Sequence, residues 1–570
     1  MTFVVEPGPL AHALEHAYLR LEQSRFADAL WSRRLDVWTP DALVQQNIAN
    51  RLGWLGAIGA MKPQVPQLTA FADSIRTGGF TDIVLLGMGG SSLVSEVLRT
   101  VVGVSAGFPR FRVLDSVNPD AIRSAMSRVE TTLFIMASKS GSTIELSTLA
   151  AEAAHRLRAA GVANPASHFV AITDENTALH TRARVEGFHN LFLNPADIGG
   201  RFSALSFFGL VPAALMGIDV DALLASAEEM AAACTDHDPR RNPGLALGAF
   251  MAAAASRGRD KLTLAMAEPL RPFGLWIEQL VAESTGKHGK GVLPFICDGG
   301  DVRIGDDTAL VVMTLAGEGD VRSVRLPRPA YASRGGQPDL GRVPLIRIDV
   351  PNAAALGGEF FRWEVATAAA GMLLGINPFD EPNVQQAKDA TRGLLDTYVR
   401  EGRLPVPEPD GAVEGIRLAL SGSARAAVDA AGPFGFLNVV RSGDYVSLLA
   451  YLPPDDNGFA PVLARLRRTI GLTTGCPATL GYGPRYLHST GQLHKGGPNT
   501  GVFIIVASEP TEDLPIPGLP YSFGTLELAQ AVGDFESLDR AGRRALLILL
   551  PGPDPSFLQQ VTATLLTPNP

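Results

Sequence analysis

Three apolar runs rich in β-branched residues, "DIVLLGMGG", "TTLFIMASKS" and "HFVAITD", end in polar or glycine turns, and helix-length segments separate them. This alternation is the pattern of a parallel sheet, because parallel neighbours need a long crossover that a helix usually supplies. The pattern restarts near residue 245, with "KLTLAMAE", "ALVVMTLAG" and "VPLIRIDV" as predicted strands and "EFFRWEVATAAAGMLLG" as a predicted helix. A third set, "YVSLLAYLPP", "TGVFIIVAS" and "RALLILLP", follows the Pro- and Asp-rich boundary "RLPVPEPDGAV". Before the first strand, "WTPDALVQQNIANRLGWL" offers Thr39 as N-cap and Pro40 at the first helical position. The expected organisation is therefore a helical segment over 1–70, α/β domains over 71–240 and 241–400, and a C-terminal α/β region over 401–570.

Composition narrows the function. The hydrophobic fraction of 46% with 19% charged residues describes a chain that folds into soluble globular domains. A net charge of -9 disfavours nucleic acid, which needs a basic face, but allows a small anion held by a local group of donors. The three cysteines, Cys234, Cys297 and Cys476, lie too far apart for a disulfide scaffold or a paired metal site, which points to a reducing cytosol. The start lacks the basic and apolar regions of a secretory signal, and the apolar run Phe202–Ile218 falls short of a bilayer span, so neither export nor a membrane is expected.

Three turns have the chemistry to hold phosphate. In "VLLGMGGSSLVSEVLR" a strand passes through Gly87, Gly89, Gly90, Ser91 and Ser92 into a helix, where main-chain donors and the helix N-terminus favour an oxyanion. Asp115 stands where a dinucleotide site would place its ribose acid, although Ser92 replaces the third glycine of that fingerprint. "LFIMASKSGSTIEL" repeats the device with Ser138, Ser140, Ser142 and Thr143 around Lys139 and Gly141, which suits a terminal phosphate; a serine-rich helix cap is the alternative. In "NPADIGGRFSALSFFGL" the guanidinium of Arg201 follows Gly199 and Gly200, placed either to stabilise negative oxygen or to pair with a structural carboxylate.

The acid–base candidate is Glu283. "RPFGLWIEQLVAESTGKHGKG" has helical spacing and a stop at Gly286, which puts Glu283 in the last turn. Burial and the negative end of the macrodipole would raise its pKa, while Lys287 and Lys290 would oppose the rise. Gln279, four residues earlier, shares its face and is placed to orient the carboxylate or a substrate hydroxyl. "NPFDEPNVQQAK" ends at Lys388, and "GPRYLHSTGQLHKGGPN" supplies His488 and His494 without the further ligands a metal would need.

Together "GMGGSS", "SKSGST", "GGRFSALS", "EQLVAESTGK" and "NPFDEPNVQQAK" resemble, in their order, the motifs of the phosphoglucose isomerase family. "LGYGPRYLHSTGQLHKGGPNTGVFI" looks like the isomerase half of transaldolase and phosphoglucose isomerase fusion proteins. The resemblance implies two sugar isomerase (SIS) domains, each a parallel sheet flanked by helices, and interconversion of glucose 6-phosphate and fructose 6-phosphate without metal or organic cofactor. It implies Glu283 as the base, Arg201 as stabiliser of a cis-enediolate, Ser138, Ser140 and Thr143 on the phosphate, Gly90 and Ser91 lining the cavity, and Lys388 near the ring oxygen. It also implies a homodimer acting on a small sugar phosphate, while charge and the short apolar run leave neither nucleic acid nor membrane as an expected partner.

The sequence departs from the family in three places. The phosphate loop is poorer in threonine than S-K-T-x-T-T, Gln385 replaces a frequent glutamate, and no histidine lies between His288 and His488. "LHSTGQ" resembles the histidine segment of some bacterial relatives, which implies His488 as the residue that opens the ring, with His288 and His494 as alternatives. Isomerisation of another aldose phosphate, such as mannose 6-phosphate, and noncatalytic sugar-phosphate binding are the alternative functions.

Overall fold

Strand residues buried on both faces need covering layers, and the computed structural model supplies them as helices around parallel sheets. It describes residues 3–297, 303–316, 328–329, 343–428, 431–454, 458–509 and 512–566. The chain divides into two compact units: Met1–Asp115, Arg128–Gly300 and Ile304–Asp380 form the first, and Ser116–Ser127, Asp301–Arg303 and Glu381–Pro570 the second.

The first unit holds two five-stranded sheets. In one, Arg110–Leu114, Asp82–Gly87, Thr132–Ala137, Phe169–Asp174 and Asn190–Asn194 lie side by side, all parallel. The strand order reverses between Asp82–Gly87 and Thr132–Ala137, and a crevice opens where crossovers leave such neighbours in opposite directions. Gly87 pairs with Ala137 there, so the "GMGGSS" and "SKSGST" turns leave the sheet side by side. The other sheet orders Leu345–Val350, Thr308–Leu315, Lys261–Met266 and Leu293–Ile296 in parallel.

Its edge is closed by Phe3–Glu6, antiparallel to Leu345–Val350. The segment expected to be helical thus opens with a strand. Arg362 explains how the strand docks: its guanidinium lies over the Phe3 ring at 5.2 Å and pairs with buried Glu359 at 3.1 Å. Both charged residues belong to helix Leu356–Leu374, whose close neighbours meet it through glycines. A Cβ on Gly248 would lie 2.5 Å from the Ala366 carbonyl oxygen, and one on Gly357 only 1.9 Å from that of Leu223.

The second unit is built on a mixed sheet ordered Gly411–Val413, Ile416–Leu420, Arg544–Leu550, Gly501–Ser508, Tyr445–Tyr451 and Ala478–Tyr482, parallel from Arg544–Leu550 onward. Helix Val384–Glu401 belongs here, packed on helix Phe523–Arg540, so the chain passes between units at Asp380. The boundary expected near residue 400 moves because the amphipathic face of this helix finds its apolar partner in the second unit. Among the described residues no helix is long and apolar enough to cross a membrane.

Ser116–Ser127 joins the second unit through polar contacts. Arg123 donates to the Glu512 carbonyl at 2.8 Å, and Asn118 Nδ2 donates to both carboxylate oxygens of Glu527 at 3.0 and 3.3 Å. Burial, against the Asn118 hydrogen bond and helped by the negative Asp120 and Asp513, pushes the Glu527 carboxyl up to about 8. The folded protein then holds a proton that the unfolded chain releases above its ordinary value of 4.5. Stability is expected to fall as pH rises from about 4.5 through about 8. Urea denaturation across that range should show a flatter profile for Glu527→Gln than for the parent chain.

Candidate active site

Glu283 sits in the last turn of helix Phe273–Thr285, which stops at Gly286 as the spacing predicts. Its carboxylate is nearly enclosed, with 7% of the residue exposed, and Gln279 one turn earlier donates Nε2–H to Oε2 at 3.3 Å. Arg201 occupies the 3₁₀ turn Gly200–Phe202, and the residue is 4% exposed. Its Nη1 lies 3.6 Å from Glu283 Oε1. The remaining donors fix the fork: Nε donates to Ser284 Oγ at 2.7 Å, and Nη2 donates to the carbonyls of Pro378 and Asp380, each at 2.9 Å.

The motifs did not reveal these anchors. Ser284 is hidden in "AEST", next to the base, and the carbonyls come from "NPFDEP", a stretch read for its lysine. The two lysines that follow the helix make contacts of their own. Lys287, 1% exposed, pairs with Asp380 at 2.7 Å and donates to the Asn377 carbonyl at 2.5 Å, while Lys290 donates to the Leu374 carbonyl at 2.7 Å. Lys287 fastens the segment after helix Leu356–Leu374, the same segment whose carbonyls hold Arg201, and Lys290 fastens the end of that helix.

Aromatic packing supports the Arg201 turn from the N-terminal segment. Trp54 meets Phe202 at 5.4 Å between ring centroids, Phe202 meets Phe379 at 5.3 Å, and Trp38 meets Phe379 at 5.3 Å. The Gly53 amide donates to the Asp197 carbonyl at 2.8 Å, which fixes the approach to the turn.

The first phosphate-type turn reaches the same neighbourhood through Gly90. Here the backbones of residues 89–91 and 200–202 are in contact, and a Cβ on Gly90 would lie 2.1 Å from the Gly200 carbonyl oxygen. The amides of Ser91 and Ser92 close their turn on the carbonyls of Met88 and Gly89. Ser92 is buried, its hydroxyl donating to Gly89 and lying 3.5 Å from Asp115, which is 3% exposed. Asp115 is thus enclosed rather than presented to a ribose.

In the neighbouring turn, Ser138 Oγ lies 3.2 Å from Thr143 Oγ1 and accepts from the Gly141 amide at 3.1 Å, while the hydroxyls of exposed Ser140 and Ser142 are 3.0 Å apart. Lys139 turns away to Asp174 and the Ala196 carbonyl. Thr143 precedes helix Ile144–Ala159 without capping it through its side chain, so the bland reading as a serine-rich cap does not describe the turn. The Gly90 turn, the Arg201 turn and Glu283 are therefore linked by contacts within the first unit, and the Ser138–Thr143 turn leaves the sheet beside the first of them.

Lys388 and His488 belong to the second unit. Lys388 is exposed on helix Val384–Glu401, and His488 ends the 3₁₀ turn Arg485–His488, half-buried. Of the alternatives, His494 is enclosed by Tyr445, Tyr486 and Phe503, and burial, then the charges of Lys495 and Arg543, hold its pKa well below the ordinary histidine value. His288 is exposed in a tight turn at φ 54°. Among the described residues no three His, Cys, Asp or Glu side chains gather as a metal site requires.

Gly90→Ala is expected to force the two turns apart, since a backbone carbonyl blocks the new methyl. A loss of about 1–3 kcal/mol in urea denaturation would match overpacking of this kind.

Comparison with known proteins shows what the chain is similar to. Residues 58–294 match the phosphoglucose isomerase family model. The glucose-6-phosphate isomerase of Synechococcus sp. (strain CC9605) is 29% identical over 435 residues, covering 70% of this chain and 80% of the relative. That of Citrifermentans bemidjiense is 27% identical over 459 residues, covering 73% and 82%. In fold the chain is similar to a hypothetical protein of Thermus thermophilus, with a TM-score of 0.55 and 22% identity over 69% of this chain and 99% of that one. It is also similar to a glucose-6-phosphate isomerase of Chlamydia trachomatis, with a TM-score of 0.50 and 19% identity over 66% and 78%. Family model and curated relatives thus support the phosphoglucose isomerase family for this chain, on a parallel-sheet α/β fold with flanking helices.

Proposed function

We propose that the chain is an aldose–ketose isomerase interconverting glucose 6-phosphate and fructose 6-phosphate, a step of glycolysis and gluconeogenesis. The observation that carries the chemical reading is the enclosed pair of Glu283 and Arg201, 3.6 Å apart beside the Gly90 turn.

Moving a proton between C1 and C2 of an open-chain sugar requires a base and a group that stabilises negative charge on the adjacent oxygen. Glu283 takes the proton from one carbon and returns it to the other, with its carboxylate oriented by Gln279. Arg201, already fixed by Ser284 and two carbonyls, stabilises the cis-enediolate without rearranging. The hydroxyls of Ser138, Ser140, Ser142 and Thr143 anchor the phosphate, with Gly90 and Ser91 lining the cavity. Anchoring a remote group restricts the reacting carbons to a productive geometry, an effect worth roughly 7 kcal/mol or more in favourable cases.

For ring opening the reading keeps Lys388 and His488, supported by motif likeness and by the enclosure of His494. The "LHSTGQLHKGG" segment supports a further likeness to the isomerase half of transaldolase fusion proteins. The family resemblance supports a homodimer, and three cysteines outside any disulfide are in keeping with a reducing cytosol.

Replacing Glu283 by Gln keeps its shape and removes the base. We expect kcat for fructose 6-phosphate, followed in an assay coupled to glucose 6-phosphate oxidation, to fall on the order of 100- to 10,000-fold with KM little changed. Intact turnover would remove Glu283 from its role.

A further inference from the structure

Asn383 stands at the N-cap of helix Val384–Glu401, the helix that carries Lys388, and asparagine there ordinarily accepts from the amides of the first turn. It makes no such bond. Its side chain instead meets Gln492: Gln492 Nε2 donates to Asn383 Oδ1 at 2.8 Å, and the Asn383 amide donates to Gln492 Oε1 at 2.8 Å. Gln492 is fully buried, so its amide is held in one orientation while it grips both the backbone and the side chain of the helix start.

Two further contacts make the gripping segment rigid. Tyr486 donates its hydroxyl to Asp534 at 2.5 Å, and Lys495 pairs with the same carboxylate at 2.6 Å, all three residues being buried. Asp534 lies on helix Phe523–Arg540, against which the Lys388 helix packs closely: a Cβ on Gly533 would lie 3.1 Å from the Thr391 amide nitrogen. Sideways packing fixes the face of the Lys388 helix, but packing of this kind leaves sliding along the axis and rotation of the first turn less restricted. The two-bond amide clamp restricts both, and Lys388 follows it by little more than one turn.

We infer that Gln492 and Asn383 form a positioning clamp that sets where the Lys388 ammonium stands during turnover, so that the "STGQLHKGG" segment serves the reaction through the lysine. The inference rests on the proposed role of Lys388 and is tested together with it in the full chain acting on fructose 6-phosphate. Lys388→Ala should lower kcat. Gln492→Leu should lower kcat about tenfold in the parent chain, since small misplacements of a reacting group are costly. In the Lys388→Ala background the same replacement should change kcat by no more than about twofold, because the group it positions is gone. Asn383→Asp, which keeps both bonds, should retain activity, whereas Asn383→Leu should behave like Gln492→Leu.

A tenfold loss that persists in the Lys388→Ala background would show a merely structural effect and overturn the clamp. So would full activity of both Leu variants beside an impaired Lys388→Ala. A Lys388→Ala chain as active as the parent would remove the role of the lysine, and the clamp with it.

Discussion

The site depends on a guanidinium taken out of water. Arg201 is 4% exposed, and a buried cation is tolerated only when its donors are met and a countercharge is near. Ser284, Pro378, Asp380 and Glu283 meet those conditions from two elements far apart in sequence. Removing one partner of a buried ion pair commonly costs on the order of 3–5 kcal/mol, which makes the arrangement a structural constraint as well as a chemical one. The position of the base is thereby tied to the turn at residues 377–380 and to the glycine turn that carries the arginine. Lys287 strengthens the same tie by pairing with Asp380 from the residue beyond the helix stop.

Shape constraints run in parallel with charge. Gly90 lets the first phosphate-type turn approach the Gly200 carbonyl closely, and the register of Gly87 with Ala137 sets the second turn beside the first. The two turns thus stand side by side at the reversal of strand order, and the first of them meets the Arg201 turn. Trp54, Phe202 and Phe379 make that turn rigid through apolar contact.

Much of this was legible in the sequence because it is local. Strands such as Asp82–Gly87 and Thr132–Ala137 are continuous apolar runs ended by glycine or serine, and the last turn of Phe273–Thr285 follows from its apolar period and Gly286. What stayed hidden depends on partners distant in the chain. Phe3–Glu6 is too short to announce itself and becomes a strand only because Leu345–Val350 offers an open edge. The division at Asp380 escaped notice because the Pro-rich stretch near residue 405 has the composition of a boundary, whereas helix Val384–Glu401 is placed by its packing. The diversion of Asn383 from capping to Gln492 could not be read from spacing, since the two are 109 positions apart. The contacts of Lys287 and Lys290 with the carbonyls of Asn377 and Leu374 stayed hidden for the same reason.

The central claim is that Glu283, beside Arg201, moves a proton between adjacent carbons through an enediolate. Its most direct measurement is turnover of fructose 6-phosphate in D₂O, with the label located by NMR after many turnovers. A carboxylate base that exchanges with solvent while it holds the proton predicts deuterium at C2 of glucose 6-phosphate and at C1 of recovered fructose 6-phosphate, with incorporation lost in step with turnover when Glu283 is replaced by Gln. Products free of deuterium after many turnovers, or labelling that survives the replacement, would contradict it.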